Sequence, residues 1–154
     1  MAAQPAPGSF DQTWTVGPDW LRNGVIYQVY PSSYKDSDGN GIGDIPGVIS
    51  KLDYIESLGV SAIWFNPLFV SGWVDGGYDV IDFYRVDPRF GTNNDMVELI
   101  QKAHAKGIKV MLDLVAGHTS DKHPWFIQSM EDTNLQYSDY YIWSDRLPDA
   151  KAEK

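Results

Sequence analysis

From Asp36 to Asp44 the chain reads Asp-Ser-Asp-Gly-Asn-Gly-Ile-Gly-Asp, with an oxygen-bearing side chain at almost every second position and three interspersed glycines. Hard divalent cations take about six to eight oxygen ligands at short range, and a Gly-rich loop of alternating Asp and Asn supplies them. Asp36, Asp38, Asn40 and Asp44, with the backbone carbonyl of Ile42, are therefore expected to hold one calcium or magnesium ion. That ion would staple the loop and perform no chemistry. Counting from Asp36, the twelfth residue is Gly47, where a calcium hand needs a bidentate Glu, and no helical pattern precedes the loop. An autonomous calcium hand is thus disfavoured, and the competing reading is a solvated Asp/Gly turn.

The other residues able to do chemistry are fewer and farther apart. Asp113 ends an apolar run, and Gly117-His118-Thr119-Ser120 follows closely. An Asp at a strand end often serves as a hydrogen-bond partner for its surroundings. His118, read alone, is equally a satisfied polar residue or a ligand contact.

The elements that must position these residues alternate between strand and helix patterns. Val25 to Tyr30 is a β-branched and aromatic run, the first strand. Ile45, Val48, Ile49, Leu52, Ile55 and Leu58 recur at helical spacing, and Gly59 stands where a left-handed C-terminal residue belongs. Ser61 to Phe65 predicts the second strand. Thr92, with Asp95 three residues on, predicts a capped helix through Met96, Leu99, Ile100 and Ala103, ended by Gly107. Lys109 to Val115 predicts the third strand. This alternation means parallel strands with right-handed crossovers, and strands apolar on both faces imply a sheet covered on both sides. Trp64, Phe65 and Leu112 are expected to face inward. The segments following the strands are long and those preceding them are single-glycine joints, so the site belongs at the C-terminal ends of the strands.

Composition narrows the function classes. A net charge of −9 over 154 residues argues against nucleic acid and anionic membranes, which select basic faces. No apolar run reaches membrane-spanning length. Zero cysteines exclude disulfides and thiolate chemistry. The first nine residues lack the charged and apolar regions of a signal peptide, which leads to an expectation of a cytoplasmic protein. Aromatic residues make up 14% of the chain, with six Trp and nine Tyr, a composition suited to neutral, hydroxyl-rich ligands as well as to core packing.

Strand one with its acidic loop, the stretch Asp75-Gly-Gly-Tyr78-Asp79, and Asp113-Leu-Val-Ala-Gly-His118 together resemble the α-amylase superfamily, glycoside hydrolase family 13. The likeness is greatest to its α-glucosidase and oligo-1,6-glucosidase branch and runs from about Trp20 to Trp143. The resemblance implies the N-terminal part of a (β/α)8 barrel, running into a small domain inserted after the third strand. On that basis residues 1–19 form an extension, 20–118 the first strands and helices of the barrel, and 119–154 the start of the inserted domain, with Pro124-Trp125-Phe126 its first short element. It also implies roles. Asp75 would hydrogen-bond the non-reducing-end sugar, Tyr78 would stack beneath its ring, and His118 would bind its primary hydroxyl, while Asp113 would support the strand end. The family usually carries Asn, often a metal ligand, immediately before that His, where this chain has Gly117.

Retaining glycosidases need two carboxyl groups flanking the scissile bond. In the resembled family these follow strands four and five, with a third acid after strand seven, and the sequence ends at Lys154 before any of them. A (β/α)8 barrel takes about 250 residues. The expectation is therefore the front part of a retaining hydrolase or transglycosylase of α-linked gluco-oligosaccharides. It would carry part of the sugar pocket, require the remainder of the barrel, and be inactive alone. Two rivals stand beside it. A non-catalytic amylase-like binding or scaffold protein would share the fold but lack the site. A dinucleotide-binding domain is weaker, because Gly41-Ile-Gly43-Asp-Ile-Pro46 lacks the third fingerprint glycine and Asp44 would repel a pyrophosphate.

Overall fold

A computed structural model describes residues 17–131 and 136–144. After a short helix α1 (Asp19–Arg22), strand β1 (Ile26–Val29) leads through α2 (Pro31–Tyr34) and the acidic loop into α3 (Ile45–Ile49) and α4 (Leu52–Ser57). Strand β2 (Ala62–Phe65) is followed by an antiparallel pair, β3 (Phe69–Ser71) and β4 (Val80–Val86). Helix α5 (Asn93–Ala105), strand β5 (Lys109–Leu112) and helix α6 (Pro124–Ser129) complete the main elements. The principal sheet has the order β1-β2-β5, all parallel, with Val29 opposite Phe65 and Phe65 opposite Leu112. This is the expected alternation of parallel strands with helical crossovers.

Helices cover one face of that sheet. Val29, Ile63 and Phe65 pack with Ile45, Val48, Leu52 and Ile55 from α3 and α4, and with Met96, Leu99 and Ala103 from α5. Among the described residues the cover is on this face alone. On the outer strands Ile26 and Met111, which share the face of Trp64, are 38% and 36% exposed, so the face away from the helices has no second layer among the described residues. The inward placement expected of Phe65 and Leu112 is corrected. Successive strand side chains point to opposite faces, so Trp64 and Phe65 cannot both face inward; Phe65 is fully buried on the helix side, and Leu112, registered opposite it, shares that side.

The helix expected over residues 45–58 is broken at Ser50-Lys51. Ser50 Oγ donates to the Gly47 carbonyl at 2.6 Å, a back-bond that bends helices. Gly47 is itself fixed by packing, since a Cβ there would lie 2.0 Å from the Lys35 carbonyl oxygen. Helix α5 begins with the expected capping box, Thr92 and Asp95 each holding the other's backbone N–H. At its far end Lys106 reaches Asp53 at 2.6 Å and Glu56 at 2.7 Å, tying α5 to α4. Gly59 and Gly107 are left-handed as anticipated, with φ of 72° and 74°.

The β3–β4 pair lies inside what the sequence suggests is one long loop from Asn66 to Gly91. It is clamped by Asp87, a buried carboxylate that accepts the Trp73 indole N–H at 2.9 Å, the Ser71 N–H at 3.3 Å, and the Arg89 N–H and Nε–H at 3.0 Å each. Burial pushes Asp87 up, but the hydrogen bonds from Trp73, Arg89 and Ser71 outweigh it and hold the carboxyl below its usual range. The Arg89 guanidinium lies 3.9 Å from the Trp73 ring centroid, and the Trp73 ring meets Phe90 edge-on at 5.4 Å.

Candidate functional site

The β3–β4 hairpin carries the stretch Asp75-Gly-Gly-Tyr78 over the C-terminal ends of the parallel strands. Gly76 and Gly77 have φ of 58° and 104°, which lets the chain reverse within two residues, and a Cβ on Gly77 would press on Pro67 at 3.4 Å. Asp79 closes the turn by accepting the Val74 N–H at 3.1 Å and the Asp75 N–H at 3.2 Å, while the Tyr78 N–H donates to the Asp75 carbonyl at 2.9 Å.

Tyr78 is where the distant segments meet. Its hydroxyl donates to Asp113 Oδ2 at 2.7 Å and accepts from Asn66 Nδ2 at 3.2 Å. Asn66 Oδ1 in turn accepts from Gln28 Nε2 at 3.1 Å. His118 Nε2 lies 3.1 Å from the Tyr78 carbonyl. A carbonyl only accepts, so Nε2 carries the hydrogen in this contact. Asp113 also extends the ladder, its N–H donating to the Phe65 carbonyl at 3.1 Å. The hydrogen bond to Asp113 raises Tyr78 above the ordinary phenol value, burial and the Asp113 and Asp75 charges add to this, and the Asn66 donor opposes it. Tyr78, Asp113 and His118 are thus joined directly. Asp75 is exposed beside them, within electrostatic reach of the Tyr78 hydroxyl.

The acidic loop gathers as its donor types require. One oxygen from each of Asp36, Asp38 and Asp44 lies within 4.8 Å of the others. The loop also uses these carboxylates internally. Asp36 accepts the N–H groups of Asp38, Gly39 and Gly41 at 3.1, 2.7 and 2.8 Å. Asn40 donates to Asp38 from its backbone and its side chain, and Asn40 Oδ1 accepts the Ile42 N–H at 2.8 Å. Asp44, only 6% exposed, caps α3 through the Gly47 N–H at 2.6 Å and accepts from Ser37 N–H and Oγ at 3.0 and 2.8 Å. An ionised carboxylate offers about four lone-pair sites. Each of the three acids keeps at least one spare, and three negative charges at this separation fit a divalent cation. The N–H groups of Gly41 and Gly39, the largest influences, hold the Asp36 carboxyl below its ordinary value.

Residues 28–153 match the family described as the α-amylase catalytic domain. The chain is a member of the α-amylase family. It is 47% identical over 131 residues to an oligo-1,6-glucosidase of Heyndrickxia coagulans, a match covering 85% of this chain and 24% of that protein. It is 48% identical over 130 residues to a glucan 1,6-α-glucosidase of Streptococcus pneumoniae, covering 84% and 24%. Among solved structures, the trehalose-6-phosphate hydrolase of Bacillus licheniformis superposes with a TM-score of 0.80 at 48% identity, covering 84% of this chain and 23% of that one. MutB in complex with the substrate sucrose gives a TM-score of 0.80 at 43% identity, with the same coverage. The chain therefore spans about a quarter of the length of these relatives, and its fold is the corresponding part of an α-amylase-type (β/α)8 barrel.

Sequence reasoning missed Gln28 and Asn66. Gln28 lies inside the first strand run and Asn66 just after the second, and what brings these amides, 38 positions apart, together is the pairing of the two strands. It also missed His123, a buried imidazole whose Nδ1 accepts the Trp125 N–H at 3.0 Å and caps α6. Trp125 belongs to an aromatic layer with Phe83 and Tyr140 that lines a concavity of about 760 Å³ beside His118. No described helix is long and apolar enough to cross a membrane.

Proposed function

We propose that the complete protein is a retaining α-glucoside hydrolase or transglycosylase acting on α-linked gluco-oligosaccharides, and that this chain supplies part of its terminal-glucosyl pocket. One observation carries the reading. The Tyr78–Asp113 hydrogen bond, with His118 on the Tyr78 carbonyl, draws three segments together at the C-terminal ends of the parallel strands, where barrel enzymes build their sites. A pyranose has an apolar face for the Tyr78 ring and hydroxyls for the Asp75 carboxylate and the His118 imidazole. Relatives named oligo-1,6-glucosidase and glucan 1,6-α-glucosidase, and one bound to sucrose, support an α-glucoside as substrate.

Asp75, Tyr78 and His118 bind and orient in this reading, and Asp113 supports Tyr78. The nucleophile and the general acid that an oxocarbenium-like transition state requires come from outside these 154 residues. From residue 119 onward the chain begins the inserted domain. The loop of Asp36, Asp38, Asn40, Ile42 and Asp44 holds one structural calcium or magnesium ion, which offsets the carboxylate charge and leaves the chemistry to the protein.

The test is Asp75→Ala in the complete protein. A sugar hydroxyl deprived of a charged partner costs about 1.5–3 kcal/mol, so kcat/KM on p-nitrophenyl α-glucoside should fall by about one to two orders of magnitude. Turnover equal to that of the unaltered protein would overturn the pocket. Binding of α-glucosides by the unaltered complete protein without any turnover would instead establish the scaffold reading.

A further inference from the structure

The hydroxyl of Tyr78 is occupied on both sides, and the donors and acceptors leave only one way to arrange it. A carboxylate oxygen only accepts, so the phenol donates to Asp113. The phenol then has only acceptor capacity toward Asn66, which must present its NH2 group. Which end of the Asn66 amide points at Tyr78 is decided on its far side, where Gln28 Nε2 donates to Asn66 Oδ1. The result is a directional chain, Gln28 to Asn66 to Tyr78 to Asp113, running across β1, the end of β2, the hairpin turn and the end of β5.

We propose that Gln28 and Asn66 are positioning residues that lock the rotation and hydroxyl direction of Tyr78, so that Tyr78 serves the pocket through its ring face alone. The inference rests on the glucosyl-pocket reading but goes beyond it, since neither amide touches the sugar in that reading. With its proton committed to Asp113 and its oxygen to Asn66, the phenol is not available as a proton donor or as a hydroxyl partner. Rotation about the Cα–Cβ bond, which would spoil a stacking face, breaks both bonds at once. The two partners are anchored independently. Asp113 is held through its own N–H to the Phe65 carbonyl, and Asn66 through its N–H to the Val29 carbonyl at 3.1 Å. The ring is therefore fixed by the sheet itself rather than by the hairpin that carries it. Gln28 is the only member on β1, which makes the outermost link depend on the pairing of Gln28 with Trp64 in the parallel register.

The experiment uses the complete protein and two readouts. In the first, tyrosines are labelled at Cζ with carbon-13, and the Tyr78 signal, assigned by its loss in Tyr78→Phe, is titrated. An N–H donor at the phenol oxygen stabilises the phenolate, so Asn66→Ala should move the Tyr78 midpoint upward, and Gln28→Ala should move it in the same direction by less. Asn66→Ser, which keeps a polar group but cannot bridge, should follow Asn66→Ala and serves if the alanine variant fails to fold. In the second, kcat and KM for p-nitrophenyl α-glucoside are compared in a double-mutant cycle. Asn66→Ala should raise KM about tenfold with kcat changed less than about threefold, and in a Tyr78→Phe background it should add almost nothing, because coupled residues are not additive. An unchanged Tyr78 midpoint in both Asn66 variants overturns the relay, whether or not the protein hydrolyses glucosides. An active protein in which the Asn66 and Tyr78 effects on KM simply multiply overturns it as well. Absence of activity in the unaltered protein, with the midpoint shifted as expected, overturns the glucosidase reading and leaves the relay standing.

Discussion

Trp73 and Tyr78 sit five residues apart on one hairpin and are held by opposite means. Tyr78 is fixed through its hydroxyl, whereas Trp73 is gripped over its whole ring by Asp87, Arg89 and Phe90 while its backbone has a φ of 57°. For a residue with a Cβ the left-handed region costs about 1–2 kcal/mol, and the ring contacts must outweigh that cost. The consequence is an inverted ranking of two substitutions. Trp73→Ala loses the ring and keeps the strain. Trp73→Gly loses the ring and relieves it, at a chain-entropy cost of about 0.5–1 kcal/mol. The glycine variant should therefore unfold at higher urea than the alanine variant, by about 0.5–1 kcal/mol in stability, with both below the unaltered protein. The reverse order in denaturation curves would show that the ring contacts do not hold a strained backbone. None of this was legible in the sequence, where Trp73 is one of six tryptophans. Asp75, Tyr78, Asp113 and His118 were legible only through the family resemblance. Residue types alone left Asp113 and His118 open, because their meeting at Tyr78 is set by topology.

At the scale of elements, the strands and α5 could be read closely because each is governed by local signals, namely β-branched runs, a capping box and a terminal glycine. The hairpin could not. Its β4 run Val80 to Val86 has β-forming residues, but its partner β3 is three residues long with two register shifts, too irregular for an alternating pattern. The break in the 45–58 helix was hidden for a related reason, since Gly47 is pinned by the Lys35 carbonyl, a contact outside the helix. The acidic loop is the converse case, as its spacing already implied convergence and Asp36, Asp38 and Asp44 do converge. If it holds calcium, saturation at about a hundred times Kd should stabilise the complete protein by about 2.7 kcal/mol over the same sample in EGTA. Replacing Asp36 and Asp38 by Asn should abolish the difference. The pH dependence has a definite sign. Asp36 is depressed in the folded loop by the Gly41 and Gly39 N–H groups, so its contribution is present above the ordinary carboxylate pKa of about 3.9 and is lost as pH falls through the lower folded value. Protons compete with calcium for the same oxygens, so the calcium-dependent rise in melting temperature should shrink in that same direction. Equal melting temperatures in calcium and EGTA at neutral pH would remove the ion from the account.

For the molecule as a whole, the decisive fact is a three-stranded parallel sheet with helices on one face and no partner for either outer strand among the described residues. The uncovered side, which carries Trp64, exposes Ile26 and Met111, and Leu114 beyond β5 is 78% exposed. Unpaired edges and a contiguous apolar face invite self-association. In a closed barrel that face packs against layers of side chains from the other strands, and the relatives, of which this chain covers about 24%, have room for them. The 154-residue chain expressed by itself should accordingly bind a hydrophobic dye in its native state, self-associate at micromolar concentration and melt with poor cooperativity. It should also release no glucose from p-nitrophenyl α-glucoside. Asp75, Tyr78 and His118 can hold a sugar, but stabilising the substrate and the transition state equally lowers no barrier, and no pair of carboxyls assigned to nucleophile and acid lies within the chain. The assay is run beside the complete protein at equal molarity, with Asp75→Ala and Asp113→Ala versions of the 154-residue chain as controls. Turnover by the chain that either substitution abolishes would mean that the carboxylates around Tyr78 perform the chemistry themselves, and that a platform role for this site is wrong.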